Sequence, residues 1–169
     1  MHRRQPLPRL WLMTDERQGE ALWTALDRLP PKSGIVFRHY GLGRSERRAL
    51  WDEVRRIGTE KRLVLIVAGD PLPGGHGCHN RRGRGISTAS AHSLAELKAA
   101  ERAGVDLVFL SPVFPTRSHP EARPLGPRRF SLLAHQARVP VIALGGMDAE
   151  KARTLGGAYG WGGIDAFSA

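Results

Sequence analysis

Cysteine and long apolar segments are what this sequence has least of. The chain of 169 residues contains one cysteine, Cys78, so no disulfide forms within it and a reducing compartment is expected. Its longest apolar segment, residues 63–68, is far too short to cross a bilayer. No apolar stretch of signal-peptide length follows the basic N-terminus before Thr14. These absences predict a cytoplasmic protein with no membrane partner.

Acidic residues are also scarce relative to basic ones. There are 16 Asp and Glu against 26 Lys and Arg, which gives a formal net charge of +10. Such a charge favours polyanionic partners, either nucleic acid or small phosphorylated ligands. The arginines are spread along the whole chain, as is typical of a solvated surface. We therefore expect small phosphorylated substrates and no specific nucleic-acid binding, with a nucleic-acid binder as the less favoured alternative.

Short apolar segments alternate with helical patterns along the chain, and this alternation is typical of β–α units around a parallel sheet. Strands are predicted over residues 10–14, 34–38, 62–68, 77–79, 86–89, 106–111, 139–144 and 163–167. Helices are predicted over residues 17–29, 46–57, 93–102 and 127–137, with a short one after Asp148.

The middle of the chain departs from this alternation. Residues 70–85 contain five Gly and two Pro, which is too many for an ordinary crossover helix. The pattern predicts an α/β fold, a trimmed TIM-type (β/α)8 barrel of parallel strands with a helix missing in the middle. We expect one domain over residues 1–169. An open doubly wound sheet is the alternative.

Two predicted strands end in loops that are rich in Gly, Ser and Thr. Residues 111–118 read Ser-Pro-Val-Phe-Pro-Thr-Arg-Ser, and residues 139–147 end in Leu-Gly-Gly-Met. Ligands bind at the carboxyl ends of the strands in such barrels. Glycine also lets backbone N–H groups approach a phosphate closely. Gly145 and Gly146 are therefore predicted to cradle a phosphate, the alternative being a tight turn without a ligand.

A cluster of possible zinc ligands lies in the glycine-rich middle. It comprises His76, Cys78, His79 and Asn80. The His-x-Cys-His spacing is too tight for a tetrahedral site, and the sequence offers no second ligand pair. We therefore expect no zinc site.

The order of segments resembles that of thiamine phosphate synthase and its sister group, the TenI proteins. The matching segments are residues 10–15, 37–38, 90–93, 103–106, 112–116, 124–126 and 139–146. The resemblance implies a transferase of thiamine biosynthesis that joins hydroxymethylpyrimidine diphosphate to thiazole phosphate and releases pyrophosphate with the help of Mg²⁺. The alternative is a catalytically degenerate relative that binds a thiamine-type phosphate ester without turnover.

The sequence departs from this family at several positions. After the second strand Arg38 is kept, but the family's Gln and Lys positions hold Val36 and Tyr40. The Asn-Asp pair after the third strand reads as residues 68–69, Ala-Gly, with Asp70 one place beyond. The resemblance places a second metal-binding Asp in the shortened loop near residue 76. These changes place the enzyme's activity in question and make Mg²⁺ dependence a point to test.

Two further departures concern the loop after the sixth strand. His119 replaces the Lys of the family's Thr-x-Thr-Lys segment. Pro112 stands where the TenI isomerases have a His, so the acid–base group of an isomerase is missing. The resemblance therefore favours the synthase over the isomerase.

The resemblance also implies roles for particular residues. Arg38 and His119 are the expected catalytic groups, because a leaving diphosphate needs cations to absorb its charge. Asp70 is the expected ligand of Mg²⁺, which prefers carboxylate oxygens. The other expected substrate- and phosphate-binding residues are Ser90, Thr116, Arg117, Gly145, Gly146 and Ser168. Thinned helices leave apolar strand faces that a homodimer would cover.

Overall fold

Eight parallel strands close into a barrel in a computed structural model that describes residues 6–168. Neighbours in the sheet follow chain order, and the last strand pairs with the first through Leu10 and Trp161. The strands are β1 (Leu10–Met13), β2 (Gly34–Phe37), β3 (Val64–Ala68), β4 (Gly77–His79), β5 (Ile86–Ala91), β6 (Leu107–Leu110), β7 (Val141–Ala143) and β8 (Gly160–Gly163). The closure confirms the predicted barrel and is incompatible with an open doubly wound sheet.

Five α-helices are found among the described residues. They are α1 (Ala21–Arg28), α2 (Arg44–Glu60), α3 (Leu94–Arg102), α4 (Gly126–His135) and α5 (Ala149–Ala152). Ser93 and Asp148 cap α3 and α5, because their side chains accept from Glu96 N and Lys151 N. None of the helices within residues 6–168 is long and apolar enough to span a membrane.

The first predicted helix is divided in two. A 3₁₀ turn, Glu16–Gln18, comes before α1, and Gly19 separates them with a φ of +49°. Glycine adopts this left-handed backbone region without a steric penalty, so the chain changes direction there. The side chain of Asp15 accepts from Arg17 N and so holds the 3₁₀ turn against the end of β1.

Two neighbouring crossovers lack a helix, which places the expected gap on one side of the barrel. Residues 69–76 join β3 to β4, and residues 80–85 join β4 to β5. Trp51 of α2 donates to the carbonyl of Pro73 at 2.8 Å and so ties the first crossover down. A Cβ at Gly83 would lie 2.9 Å from the Cys78 sulfur. Trp51 therefore anchors the first crossover, and the second packs closely on β4 at Gly83.

The last strand begins earlier than the sequence predicts. The prediction of residues 163–167 was wrong, because β8 covers Gly160–Gly163. Three of its four residues are glycine, which has a low strand propensity and hides the strand in the sequence. A Cβ at Gly162 would lie 2.6 Å from the carbonyl oxygen of Trp11, so glycine is required for the close approach to β1. The loop at the carboxyl end of β8 therefore begins at residue 164.

Large side chains fill the amino-terminal half of the barrel interior. Trp11 meets Phe109 edge to face at 5.2 Å between ring centroids, and both are fully buried. Val36, Ile66 and Ile142 belong to the same interior cluster. Filling this half leaves the carboxyl ends of the strands as the place for a cavity.

Candidate active site

A cavity of about 660 Å³ opens at the carboxyl ends of the strands. Met13 and His79, the last residues of β1 and β4, line it together with Leu144, which follows β7. Ser90 of β5, Gly163 of β8 and residues of the loops after β2, β4, β5, β6, β7 and β8 complete the lining. This is the face at which barrels of this class bind ligands.

Arg38 enters this cavity directly after β2 and is held in one orientation. Its Nε donates to the carbonyl of Thr14 at 2.8 Å, and its Nη2 lies 3.1 Å from Asp15 Oδ2. Burial lowers the pKa of Arg38, while the Asp15 carboxylate opposes that change. Burial would raise the pKa of Asp15, but hydrogen bonds from Arg17 and the Arg38 charge outweigh it and lower that pKa. The result is a fixed ion pair.

Three of the sequence-predicted residues on the loop after β6 reach the cavity. Thr116, Arg117 and His119 all line it, and Arg117 and His119 are exposed at its mouth. Arg17 Nη2 donates to Ser118 Oγ at 3.2 Å, which joins this loop to the loop after β1. The structure therefore brings Arg38, which follows β2, and the basic residues of the loop after β6 to one opening.

Gly145 and Gly146 also line the cavity, and their backbone requires glycine. Their φ angles are +95° and +59°. A Cβ at Gly145 would lie 2.6 Å from the Cα of Pro112, and a Cβ at Gly146 would overlap the carbonyl oxygen of Pro115. The two glycines are thus needed for packing against the β6 loop, and their role toward a phosphate stays a prediction.

Two predicted site residues are not brought into the cavity. Asp70 is exposed in the β3–β4 crossover, where its carbonyl accepts from Arg47 Nη1 at 2.9 Å, and it is not among the lining residues. Ser168 lies 3.4 Å from the carbonyl of Ala21 through its Oγ and is also absent from the lining. Because β8 ends at residue 163, Asp165 lines the cavity at this end instead.

His79 is the functional candidate that sequence reasoning missed, since it was weighed there only as a zinc ligand. The side chain is 3% exposed, with Nδ1 2.9 Å from Thr88 Oγ1 and Nε2 3.0 Å from Ser90 Oγ. Burial, aided by the Arg38 charge, lowers the pKa of His79 to about 4. The available signal was its position at a strand end, two residues after Gly77 on the inward face.

The residues present do not form a ligand set for Mg²⁺. Within residues 6–168, no group of three or more His, Cys, Asp or Glu is placed to hold a metal ion. Asp165 is the acidic side chain among the described lining residues, and it is exposed. Mg²⁺ is held in proteins by carboxylates and substrate phosphates together. We therefore assign no step of the chemistry to a protein-bound metal ion.

Comparison with known proteins finds that the chain is similar to thiamine-phosphate synthases. A family profile described as thiamine monophosphate synthase matches residues 81–167. The putative thiamine-phosphate synthase 2 of Aquifex aeolicus is 33% identical over 183 aligned positions, which cover 95% of this chain and 98% of that protein. The thiamine-phosphate synthase of Geobacillus thermodenitrificans is 36% identical over 107 positions, covering 59% of this chain and 48% of its own length.

A solved structure shows the same fold. The thiamine phosphate pyrophosphorylase from Pyrococcus furiosus superposes with a TM-score of 0.76 at 23% sequence identity. The superposition covers 96% of this chain and 87% of that chain. The closed barrel described above is therefore shared with that protein.

Proposed function

Because this chain belongs to the thiamine monophosphate synthase family, we propose that it is a transferase of the thiamine phosphate synthase type. The reaction forms a bond between the methylene carbon of hydroxymethylpyrimidine diphosphate and the ring nitrogen of thiazole phosphate. The carbon–oxygen bond to the diphosphate breaks, and pyrophosphate leaves with the electron pair. The observation that carries the proposal is the convergence of Arg38, Arg117 and His119 on the cavity at the barrel mouth.

Arg38 is proposed to stabilise the leaving diphosphate. A guanidinium has five N–H donors. Thr14 and Asp15 engage two of them, which leaves three for a ligand. Since the ion pair already holds the side chain in place, little conformational entropy is lost when the diphosphate binds. Charge develops on the leaving group in the transition state, and a fixed cation then stabilises that state more than the ground state.

The loop after β6 is proposed to complete the anion site. Thr116 and Ser90 offer hydroxyl groups, and at the exposed mouth Arg117 offers positive charge and His119 an imidazole. Gly145 and Gly146 are proposed to receive the phosphate of the thiazole substrate. A cytoplasmic location, a preference for small phosphorylated substrates over nucleic acid, and a homodimer belong to the same proposal.

The second candidate function is a binder of thiamine-type phosphate esters without turnover. The absence of a carboxylate set for Mg²⁺ within residues 6–168 favours it. Both candidates use the same cations, so binding alone does not separate them. Product formation does.

The deciding experiment is an assay of thiamine phosphate and pyrophosphate formation from the two precursors, with Mg²⁺ and with a chelator. Product supports the synthase. No product, together with binding of thiazole phosphate, assigns the binder instead. A protein that neither turns over nor binds either precursor would overturn both. Binding of nucleic acid that falls steeply with salt and is unaffected by thiazole phosphate would favour the third class.

A further inference from the structure

A chain of three hydrogen-bonded side chains leads from the barrel interior to the cavity. Thr88 Oγ1 lies 2.9 Å from His79 Nδ1, and His79 Nε2 lies 3.0 Å from Ser90 Oγ. Thr88 and His79 are 1% and 3% exposed, whereas Ser90 is half-buried and lines the cavity. The Asn80 side chain accepts from Ser90 N at 2.8 Å, which also fixes the backbone at Ser90.

The number of protons on the His79 ring decides which atom donates in each of these hydrogen bonds. Burial lowers the pKa of His79 to about 4, so the imidazole is neutral near pH 7 and has one donor and one acceptor nitrogen. The hydroxyl of Thr88 is buried and needs an acceptor for its proton. Among residues 6–168 the partner that the structure offers is His79 Nδ1. Nδ1 therefore accepts, and Nε2 carries the proton of the ring.

The direction continues to Ser90. Since Nε2–H donates to Ser90 Oγ, the serine hydroxyl directs its own proton elsewhere. We propose that the Thr88–His79 pair fixes Ser90 as a hydrogen-bond donor to an acceptor atom of the bound substrate. His79 is then a positioning residue. That the acceptor is a ring nitrogen or a phosphate oxygen rests on the proposed function, whereas the direction of the chain does not.

The same direction excludes a hydrolytic role for the Ser–His contact. A nucleophilic serine needs a neighbouring nitrogen that takes its proton. Here that nitrogen, Nε2, already carries one. Ser90 instead keeps its own hydroxyl proton available for an acceptor atom in the cavity.

Nitrogen NMR of protein labelled in the histidine rings tests the direction. We expect His79 to show a protonated Nε2 and an unprotonated Nδ1 at pH 7, with the signal assigned by its loss in His79→Gln. Thr88→Val keeps the shape of the side chain but removes its hydroxyl, so Nδ1–H should become populated. Thr59→Val is the matched control, because the Thr59 hydroxyl donates to Arg55 O on the exposed surface of α2. An Nδ1–H tautomer in the unmodified protein would overturn the proposal.

Calorimetry with two probes, inorganic pyrophosphate and hydroxymethylpyrimidine, identifies the acceptor. Ser90→Ala should weaken the binding of one probe by about tenfold, which corresponds to the loss of one hydrogen bond. Thr88→Val should weaken the binding of the same probe by about threefold. In protein that already carries Ser90→Ala, it should cause little further loss of affinity. A loss confined to pyrophosphate assigns a phosphate oxygen, and a loss confined to the pyrimidine assigns a ring nitrogen. Unchanged affinity for both probes in Ser90→Ala contradicts the proposal.

These readouts separate the inference from the proposed function. If no thiamine phosphate forms but the tautomer and the probe affinities are as expected, the synthase assignment fails and the inference stands. If product forms while His79 shows an Nδ1–H tautomer, the inference fails and the synthase assignment stands.

Discussion

Arg38 shows how one residue combines position and charge. Its hydrogen bond to Thr14 and its ion pair with Asp15 direct the guanidinium into the cavity, where Arg117 and His119 approach from the opposite loop. Asp15 is itself held by Arg17 through a 2.9 Å ion pair. The Arg38 charge is therefore anchored by a carboxylate that has a second cationic partner.

Replacing Arg38 should lower transition-state stabilisation. We expect Arg38→Ala to reduce kcat/KM by about 10²-fold, as the loss of one fixed donor does in other enzymes. Arg38→Lys should recover only part of this, because an ammonium cannot reproduce the planar fork. Arg56→Ala is the control, since Arg56 forms an exposed pair with Glu60 on α2 and should leave kcat/KM within twofold. Unchanged turnover in Arg38→Ala would contradict the diphosphate role.

His79 should make the protein acid-sensitive. Its folded pKa of about 4 lies below the ordinary value of 6.5, so the unfolded chain takes up a proton first as the pH falls. The stability that the neutral ring contributes is present above pH 6.5 and is lost as the pH falls toward 4, by about 3 kcal/mol in total. Burial also lowers the pKa of His39, which acts in the same direction.

Urea unfolding at several pH values between 7 and 4 measures this loss. The decline in free energy of unfolding should be shallower in His79→Gln, whatever the stability of that variant at pH 7. Equal slopes in the variant and the unmodified protein would show that His79 titrates normally in the folded state.

At the scale of elements, β8 is shaped by its neighbour. Its glycines let the strand approach β1 so closely that added side chains would meet backbone atoms of Arg9 and Trp11. The Trp11 side chain in turn occupies the interior beside Gly34. The Trp11 side chain therefore requires glycine at position 34 of β2, whereas the backbone of β1 requires glycine in β8.

Gly162→Ala tests this packing. The new Cβ would lie 2.6 Å from the Trp11 carbonyl oxygen, so a strand must move. We expect a loss of about 1–3 kcal/mol in the free energy of unfolding. Gly43→Ala is the control for a Cβ in open space, because a Cβ there meets nothing within 4 Å and its φ is –57°; as the N-cap of α2 it should cost less than about 1 kcal/mol. Equal stability of the two variants would show that β8 has room to relax.

Across the whole molecule, the helices pack on the outside of the barrel through two separate apolar clusters. Leu26 and Trp51, from α1 and α2, pack with the outer faces of β1–β3. Leu97 and Phe130, from α3 and α4, pack with those of β5–β7. Strand β4 lies between the clusters and is covered by the helix-free crossovers. Within residues 6–168, this side of the barrel therefore has no covering helix.

Amide hydrogen exchange should differ between strands that helices cover and β4, which no helix in the described part of the chain covers. Amides of β4 are expected to exchange faster than those of β2, which is fully buried beneath α1 and α2, because local opening is easiest where few apolar contacts must break. Exchange measured by mass spectrometry on the unmodified protein is sufficient for the comparison. Equal protection of the two strands would show that the crossovers pack as firmly as helices.

The sequence by itself determined the order and type of most elements. Strands such as β3 and β6 are continuous apolar segments. Ser93 and Asp148 cap the helices that begin directly after them. These signals are local, because periodicity and caps are satisfied by neighbours in the chain. The same local signals placed Arg38 and residues 116–119 at strand ends, where they line the cavity.

Only the tertiary structure decided which residues meet. The start of β8 depends on how closely it packs on β1, so the sequence misplaced that strand. Asp70 follows its strand but lies outside the cavity, and His79 contacts Ser90 on the neighbouring strand. Pairing register and barrel closure act between residues far apart in the chain, and no local pattern records them.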